Sequence, residues 1–184
     1  MTKVWEPMLA RLATERYPRL VAHAMMLVGS RADAEDLVQE ALVATFVGSR
    51  TFDGIAHAER YVRQAIVTKF VDRYRKLDRE RHLWRRASAS SDGTVHDHAP
   101  GVGAATDLGT ALRALPPRQR ACVALRYLDD LSIAQTAHLL GISEGSVKRY
   151  VADGLAALSP LVDGGDDEDE AEWLILEPRG GGER

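Results

Sequence analysis

The sequence predicts an all-α protein of two small helical domains joined by a flexible linker. Three observations carry this expectation. Apolar residues make up 45% of the 184 residues but aromatics only 6%, so a core must be built mainly from Leu, Val, Ala and Ile. That alphabet, mixed with Arg and Glu, favours helices over strands. Apolar positions recur at helical spacing in two blocks. Between the blocks, residues 87–105 read ASASSDGTVHDHAPGVGAA, a composition that cannot bury enough surface to offset the entropy of ordering it. The expected division is a first domain over 1–86, a linker over 87–106, a second domain over 107–162 and an acidic, disordered tail over 163–184.

The first block reads as four helices. The first two span about Trp5 to Tyr17 and Pro18 to Val28, with Pro18 suited to a helix start and Gly29 to a C-terminal cap. The third opens at Asp33 as N-cap and runs to about Val47, with Leu37, Val38, Ala41, Leu42 and Phe46 on its apolar stripe. A loop, Gly48 to Ala56, leads to a fourth helix from about His57 to Arg81. Val62, Ile66, Phe70, Tyr74 and Leu77 line one side of it, and Arg60, Gln64, Lys69, Lys76 and Arg79 lie mostly on the other. Arg63 and Arg73 interrupt the apolar side, so the amphipathic pattern is imperfect.

The second block has the spacing of a helix-turn-helix unit. Pro116-Pro117 ends a helix from about Asp107 to Ala114 and starts another that reaches Tyr127. Ser132 caps a short helix to Leu140, Gly141 supplies the positive φ of the turn, and Ser143 caps the next helix. Val147, Val151, Leu155 and Leu158 form the buried stripe of that last helix, facing Ala134, Ala137, Leu140 and Ile142.

Charge separates the body from the tail. From Asp163 onward there are nine acids and two bases, which leaves residues 1–162 at +4 within a net charge of −3. No run reaches the roughly 18 apolar residues a membrane span needs, and the N-terminus lacks a signal-peptide pattern, so a cytoplasmic protein without membrane insertion is expected. The single Cys122 excludes an internal disulfide and, within ACVAL, reads as core. His96-Asp97-His98 has no cysteine near it and reads as chance rather than as a metal site. No phosphate-binding loop or nucleophile motif appears, so no cofactor, metal, small-molecule substrate or catalysis is expected.

Three constellations point to function. In a helix-turn-helix the second helix enters the major groove and its first residues meet base edges. Here those residues are Glu144, Gly145, Ser146, Lys148 and Arg149, and the two cations suit phosphates or guanine edges. Asp36, Gln39 and Glu40 lie three and four residues apart and share one helix face. Such a patch repels DNA but complements a basic protein surface; taken alone it would read as a solvated face. The basic helix 57–81 offers cations for a DNA backbone and aromatics, Tyr61 among them, that could stack on unpaired bases, although Phe70 and Tyr74 read as core.

Together these segments resemble the extracytoplasmic-function sigma factors of bacterial RNA polymerase, most of all the shorter actinobacterial members. Residues 32–48, ADAEDLVQEALVATFVG, are similar to the family's polymerase-binding segment. Residues 61–76, YVRQAIVTKFVDRYRK, resemble its helix for the −10 promoter element. Residues 115–158, beginning LPPRQRACVALRYLDDLS, resemble its −35-reading domain. The resemblance implies that Asp36, Leu37, Val38, Gln39 and Glu40 bind core RNA polymerase. It further implies that Arg60, Arg63, Lys69, Arg73, Arg75 and Lys76 hold the −10 region, that loop Gly48–Ala56 takes a flipped base, and that Arg118, Arg120, Ser146, Lys148 and Arg149 serve the −35 element. An anti-sigma protein is a further partner it brings into view.

The chain departs from the family pattern at Thr68, where Asn is frequent, and at Tyr150 and Asp153, where Arg is frequent. Asp153 would repel phosphate if it faced DNA. The acidic tail offers two readings: a tethered block that folds back onto Lys148 and Arg149 and competes with DNA, or a solvated extension. The competing functions are a stand-alone helix-turn-helix regulator, which has no use for the face at Asp36–Glu40, and a sigma-like decoy that sequesters a partner.

Overall fold

A computed structural model describes residues 5–47, 50–87 and 108–162, with side-chain surroundings defined except at 84–87 and 161–162. Among the described residues every regular element is helical, as expected. The linker beyond Ala87, the His96-Asp97-His98 triplet, Gly48 and Ser49, and the acidic tail lie outside the described residues.

The first helical group begins with α1 (Glu6–Arg11), which passes through one π-helical turn (Leu12–Arg16) into α2 (Tyr17–Val28). Gly29 ends α2 at φ +78°, and its N–H donates to Met25 O at 3.1 Å. The next helix, α3 (Arg31–Phe46), starts earlier than expected. Ser30, not Asp33, is its N-cap: Ser30 Oγ accepts from Asp33 N at 3.1 Å and donates to the Asp33 carboxylate at 2.7 Å. Asp33 therefore sits at the third helical position, where its charge also favours the helix dipole. Helix α4 (Ile55–Ala87) outruns its expected limits at both ends and reaches Ala87, the first residue of the segment read as linker. These helices close on Leu20, Leu27, Leu37, Leu42, Phe46, Val62, Ile66 and Phe70.

The second group comprises α5 (Leu108–Ala114), α6 (Pro117–Val123) with a π-helical turn at Ala124–Leu128, α7 (Ile133–Leu140) and α8 (Glu144–Val162). Ser132 caps α7 as expected, and Gln135 completes a capping box by accepting from Ser132 N at 2.8 Å. Gly141 adopts φ +62°, and Ser143 Oγ accepts from Ser146 N at 3.1 Å, so the turn is built as its residues imply. Val147 and Leu158 are buried, Leu158 in a cluster with Leu112, Leu115 and Val123, but Leu155 of the same stripe, and Ala134, expected to face it, are exposed. Gly154 fills part of that role. A Cβ there would meet Val123 Cγ2 at 2.8 Å, so its absence sets how closely α8 crosses α6.

The two groups share one core. Cys122, Leu125, Leu131 and Leu140 of the second belong to the same buried cluster as the first group's helices. Cys122 is core as expected, and burial pushes its thiol up to about 11, which leaves it unreactive.

Candidate nucleic-acid and protein interfaces

The acidic face stands on α3, where the Ser30 cap fixes the start of the helix and the buried stripe fixes its rotation. Asp36, Gln39 and Glu40 are exposed and border a shallow surface groove with Val43, Val47, Lys69 and Arg73. Two residues expected to assist them are not on that surface. Leu37 and Val38 are fully buried in the core, because their positions fall on the stripe that packs against α2 and α4. Sequence reasoning missed Val43 and Val47, which are 61% and 75% exposed and extend the acidic face with apolar surface. Their spacing of seven and eleven residues from Asp36 was the available signal.

The cations expected to form one DNA surface on α4 are divided. Arg60 and Lys76 are exposed. Lys69 and Arg73 border the α3 groove, where Arg73 pairs with Glu40 at 2.8 Å. Arg63 and Arg75 turn toward the second group: Arg63 Nε lies 2.9 Å from Asp129 Oδ1, Arg63 Nη2 donates to Leu128 O at 2.6 Å, and Arg75 Nη2 donates to Leu140 O at 2.7 Å. Phe70 is buried, with Tyr74 edge-on to it at 4.9 Å. Tyr61 stays half-buried, packed by Phe52 at 5.6 Å and covered by the Arg50 guanidinium at 4.3 Å. In the loop, Phe52 also meets Phe46 edge-on at 5.6 Å, so its described part is anchored rather than open throughout.

On the helix-turn-helix, Lys148 and Arg149 are exposed at the start of α8, and Arg118 is exposed at the start of α6. Ser146 is half-buried, with its hydroxyl 2.9 Å from Ser143 Oγ. Arg120 is corrected outright. It is 7% exposed and donates to the carbonyls of Leu27, Arg113 (2.6 Å) and Leu115 (2.9 Å), so its guanidinium braces the fold. Tyr150 interacts with its basic neighbours: hydrogen bonding from Arg118 lowers its phenol from the usual range, and Arg149 lies 5.2 Å from its ring. Asp153 is exposed one turn after Arg149.

A buried titratable cluster lies where the groups meet. Burial lowers His23 to about 3, with Arg63 contributing, so it is neutral 3.6 Å from Asp129. Burial raises Asp129 to about 6, against the opposing effects of Arg63 and Arg60. No sequence signal had marked His23 or Asp129.

Comparison with known proteins identifies the class. Residues 12–80 match sigma-70 region 2 and residues 105–158 match sigma-70 region 4, the two parts of an RNA polymerase sigma factor. The particular branch follows from relatives along most of the chain. It is 36% identical over 149 residues to the ECF RNA polymerase sigma factor SigF of Caulobacter vibrioides, covering 77% of this chain and 78% of that one. It is 35% identical over 148 residues to the RNA polymerase sigma-E factor of Streptomyces avermitilis, covering 78% of each. The chain belongs to the extracytoplasmic-function sigma factors, which bind RNA polymerase and recognise promoters to start transcription. Its fold is also that of the sigma factor RpoE crystallised with the anti-sigma factor NepR from Bartonella quintana, at TM-score 0.54 and 22% identity, covering 88% of this chain and 96% of that one. No helix among the described residues is long and apolar enough to cross a membrane.

Proposed function

We propose that this sigma factor engages core polymerase through Asp36, Gln39 and Glu40 of α3, and reads the promoter with two surfaces, α4 at the −10 element and α8 at the −35 element. The observation that carries this is the exposure of the acidic face beside buried Leu37 and Val38. The helix is anchored by its core stripe and presents its charges outward, as a rigid site for a basic partner requires. Leu37 and Val38 would then act by holding that face in place.

For the −10 surface the assignment keeps Arg60, Lys69 and Lys76 as they stand, and Arg63, Arg73 and Arg75 after release from their present partners. For the −35 surface it keeps Arg118, Lys148 and Arg149, with Ser146 as a capping neighbour. Functional units over 1–86 and 107–162, connected through 87–106, follow from this reading. So do a cytoplasmic location and the absence of catalysis by the chain itself, since polymerase supplies the chemistry. An anti-sigma protein is a fitting regulator, as for the Bartonella relative crystallised with one.

The test compares wild type with Asp36→Ala/Gln39→Ala/Glu40→Ala for binding to purified core RNA polymerase. Tight binding lost in the triple variant, with helical content unchanged, supports the assignment. Equal binding by both would move the polymerase site elsewhere on the chain.

A further inference from the structure

We propose that Asp153 of α8 is a base-reading residue, whose carboxylate accepts a hydrogen bond from the N4 amino group of a cytosine in the −35 element and so sets this chain's promoter preference at one base pair. The inference deepens the −35 assignment above and rests on it.

The rotation of α8 decides what Asp153 faces. Val147, Gly154 and Leu158 are buried and fix the inner side of the helix. Gly145, Arg149, Ala152, Asp153 and Ala156 are exposed, follow one another at helical spacing, and form a stripe opposite that inner side. In a helix-turn-helix the outward side of the second helix is the one laid against base edges. Gly145, Ala152 and Ala156 are small, so the helix can approach the floor of the major groove closely. The cations suited to phosphates stand on the flanks of the stripe, Lys148 on one side and Arg118, hydrogen-bonded to Tyr150, on the other. Asp153 therefore lies between the phosphate contacts rather than among them.

A carboxylate in that place selects its base. An ionised carboxylate only accepts hydrogen bonds. In the major groove guanine presents O6 and N7, both acceptors, and thymine presents the O4 acceptor and a methyl group. Adenine offers N6 as a donor but sets the N7 acceptor beside it. Cytosine alone presents a donor with no acceptor on its own edge, which is the match for Asp153.

The carboxylate is also left free for this contact. Arg149 and Asp153 are four residues apart, the spacing at which Arg and Asp pair across a helix surface. They do not pair here. The Arg149 guanidinium lies 5.2 Å from the centre of the Tyr150 ring, and Asp153 makes no hydrogen bond or ion pair among the described residues. Tyr150 thus draws Arg149 aside, so the two departures from the family pattern at 150 and 153 act together. Along the axis Arg149 and Asp153 are about 6 Å apart, close to two base-pair steps of about 3.4 Å, so they reach different base pairs. Asp153 lowers affinity for duplexes in general, by repelling phosphate, and raises discrimination among them.

The test loads core polymerase with the full-length wild type, Asp153→Ala, Asp153→Asn or Arg149→Ala and selects from a library of fully randomised duplexes. Competition titrations then compare recovered duplexes that differ at one base pair. Wild type should recover an upstream motif holding a C·G pair, with cytosine preferred about tenfold over the other bases at that position. Asp153→Ala should bind duplexes at large more tightly, yet accept any base there and keep the rest of the motif. Asp153→Asn should move the preference to adenine, whose N6 and N7 an amide meets together. A side chain that only shaped the helix would produce no such exchange. Asparagine also keeps the size of the side chain, so this variant carries the test if Asp153→Ala loses helical content. A motif unchanged by both Asp153 variants but altered by Arg149→Ala would overturn the cytosine contact and leave the −35 assignment standing. A motif unchanged by all three variants would overturn both.

Discussion

Arg73 of α4 holds the Glu40 carboxylate of α3 from two nitrogens, through Nη2 at 2.8 Å and Nε at 3.4 Å. The contact joins a residue assigned to DNA with one assigned to polymerase. The two side chains are 31% and 50% exposed, so solvent screens the pair and its contribution to stability is small. A double-mutant cycle with Glu40→Ala and Arg73→Ala, followed by urea unfolding, should give a coupling of at most about 1 kcal/mol. A larger value would make Glu40 part of the scaffold and weaken its reading as a docking residue.

Gly154 should tolerate little. Its missing Cβ lets Val123 approach, and Leu115 and Gln119 also lie within 4 Å of that Cβ position. Gly154→Val should destabilise by about 1–3 kcal/mol through overpacking of the α6–α8 crossing. Gly154→Ala should cost less, because alanine recovers roughly 1 kcal/mol of helix propensity. Urea midpoints for the pair give the comparison, and equal midpoints would remove the close-crossing argument.

The α7 cap offers an independent check on local structure. Ser132→Ala should cost about 1 kcal/mol by orphaning Gln135 N and dissolving the capping box. Thermal unfolding of the two proteins measures it.

Asp153 should weaken DNA binding. It is exposed one turn from Arg149, on a surface otherwise suited to phosphate. Asp153→Ala should tighten duplex binding, whereas Lys148→Ala should weaken it and reduce the salt slope by about 1. Titrations at several salt concentrations distinguish these outcomes, and an unchanged affinity for Asp153→Ala would place that side chain away from the duplex.

Acid should reveal the buried cluster. Burial lowers His23 from 6.5 to about 3, so the unfolded chain binds its proton more readily, and the stability it contributes is lost as pH falls below 6.5. Burial raises Asp129 from 3.8 to about 6, so the folded chain binds that proton more readily, and the stability it contributes at low pH is lost as pH rises through 6. The two effects oppose one another between about pH 4 and 6. Relative to wild type, His23→Gln should gain stability on going from about pH 7 to 4.5, and Asp129→Asn should lose it. Urea midpoints at both pH values check the signs.

The sequence by itself determined the helical class, both helical groups, the turn at Gly141, the caps at Ser132 and Ser143, and the exposed acidic face. These are local matters: spacing within one helix, or a side chain bonding backbone three residues away. Local rules also carried an error, since they took Asp33 for a cap that Ser30 supplies; they did place Leu37 and Val38 on the apolar stripe where the two pack, and only the family resemblance set those residues at an interface. What only the tertiary structure decided was how the groups meet. The irregularity at Arg63 and Arg73 was visible as charge on an apolar side, but its explanation lay in Asp129 and Glu40, 66 and 33 positions away. Arg120 likewise read as a DNA contact until the end of α2 proved to receive it. A cation's partner depends on which carbonyl or carboxylate the folded chain brings within about 3 Å, and periodicity along one helix holds no information about that distance.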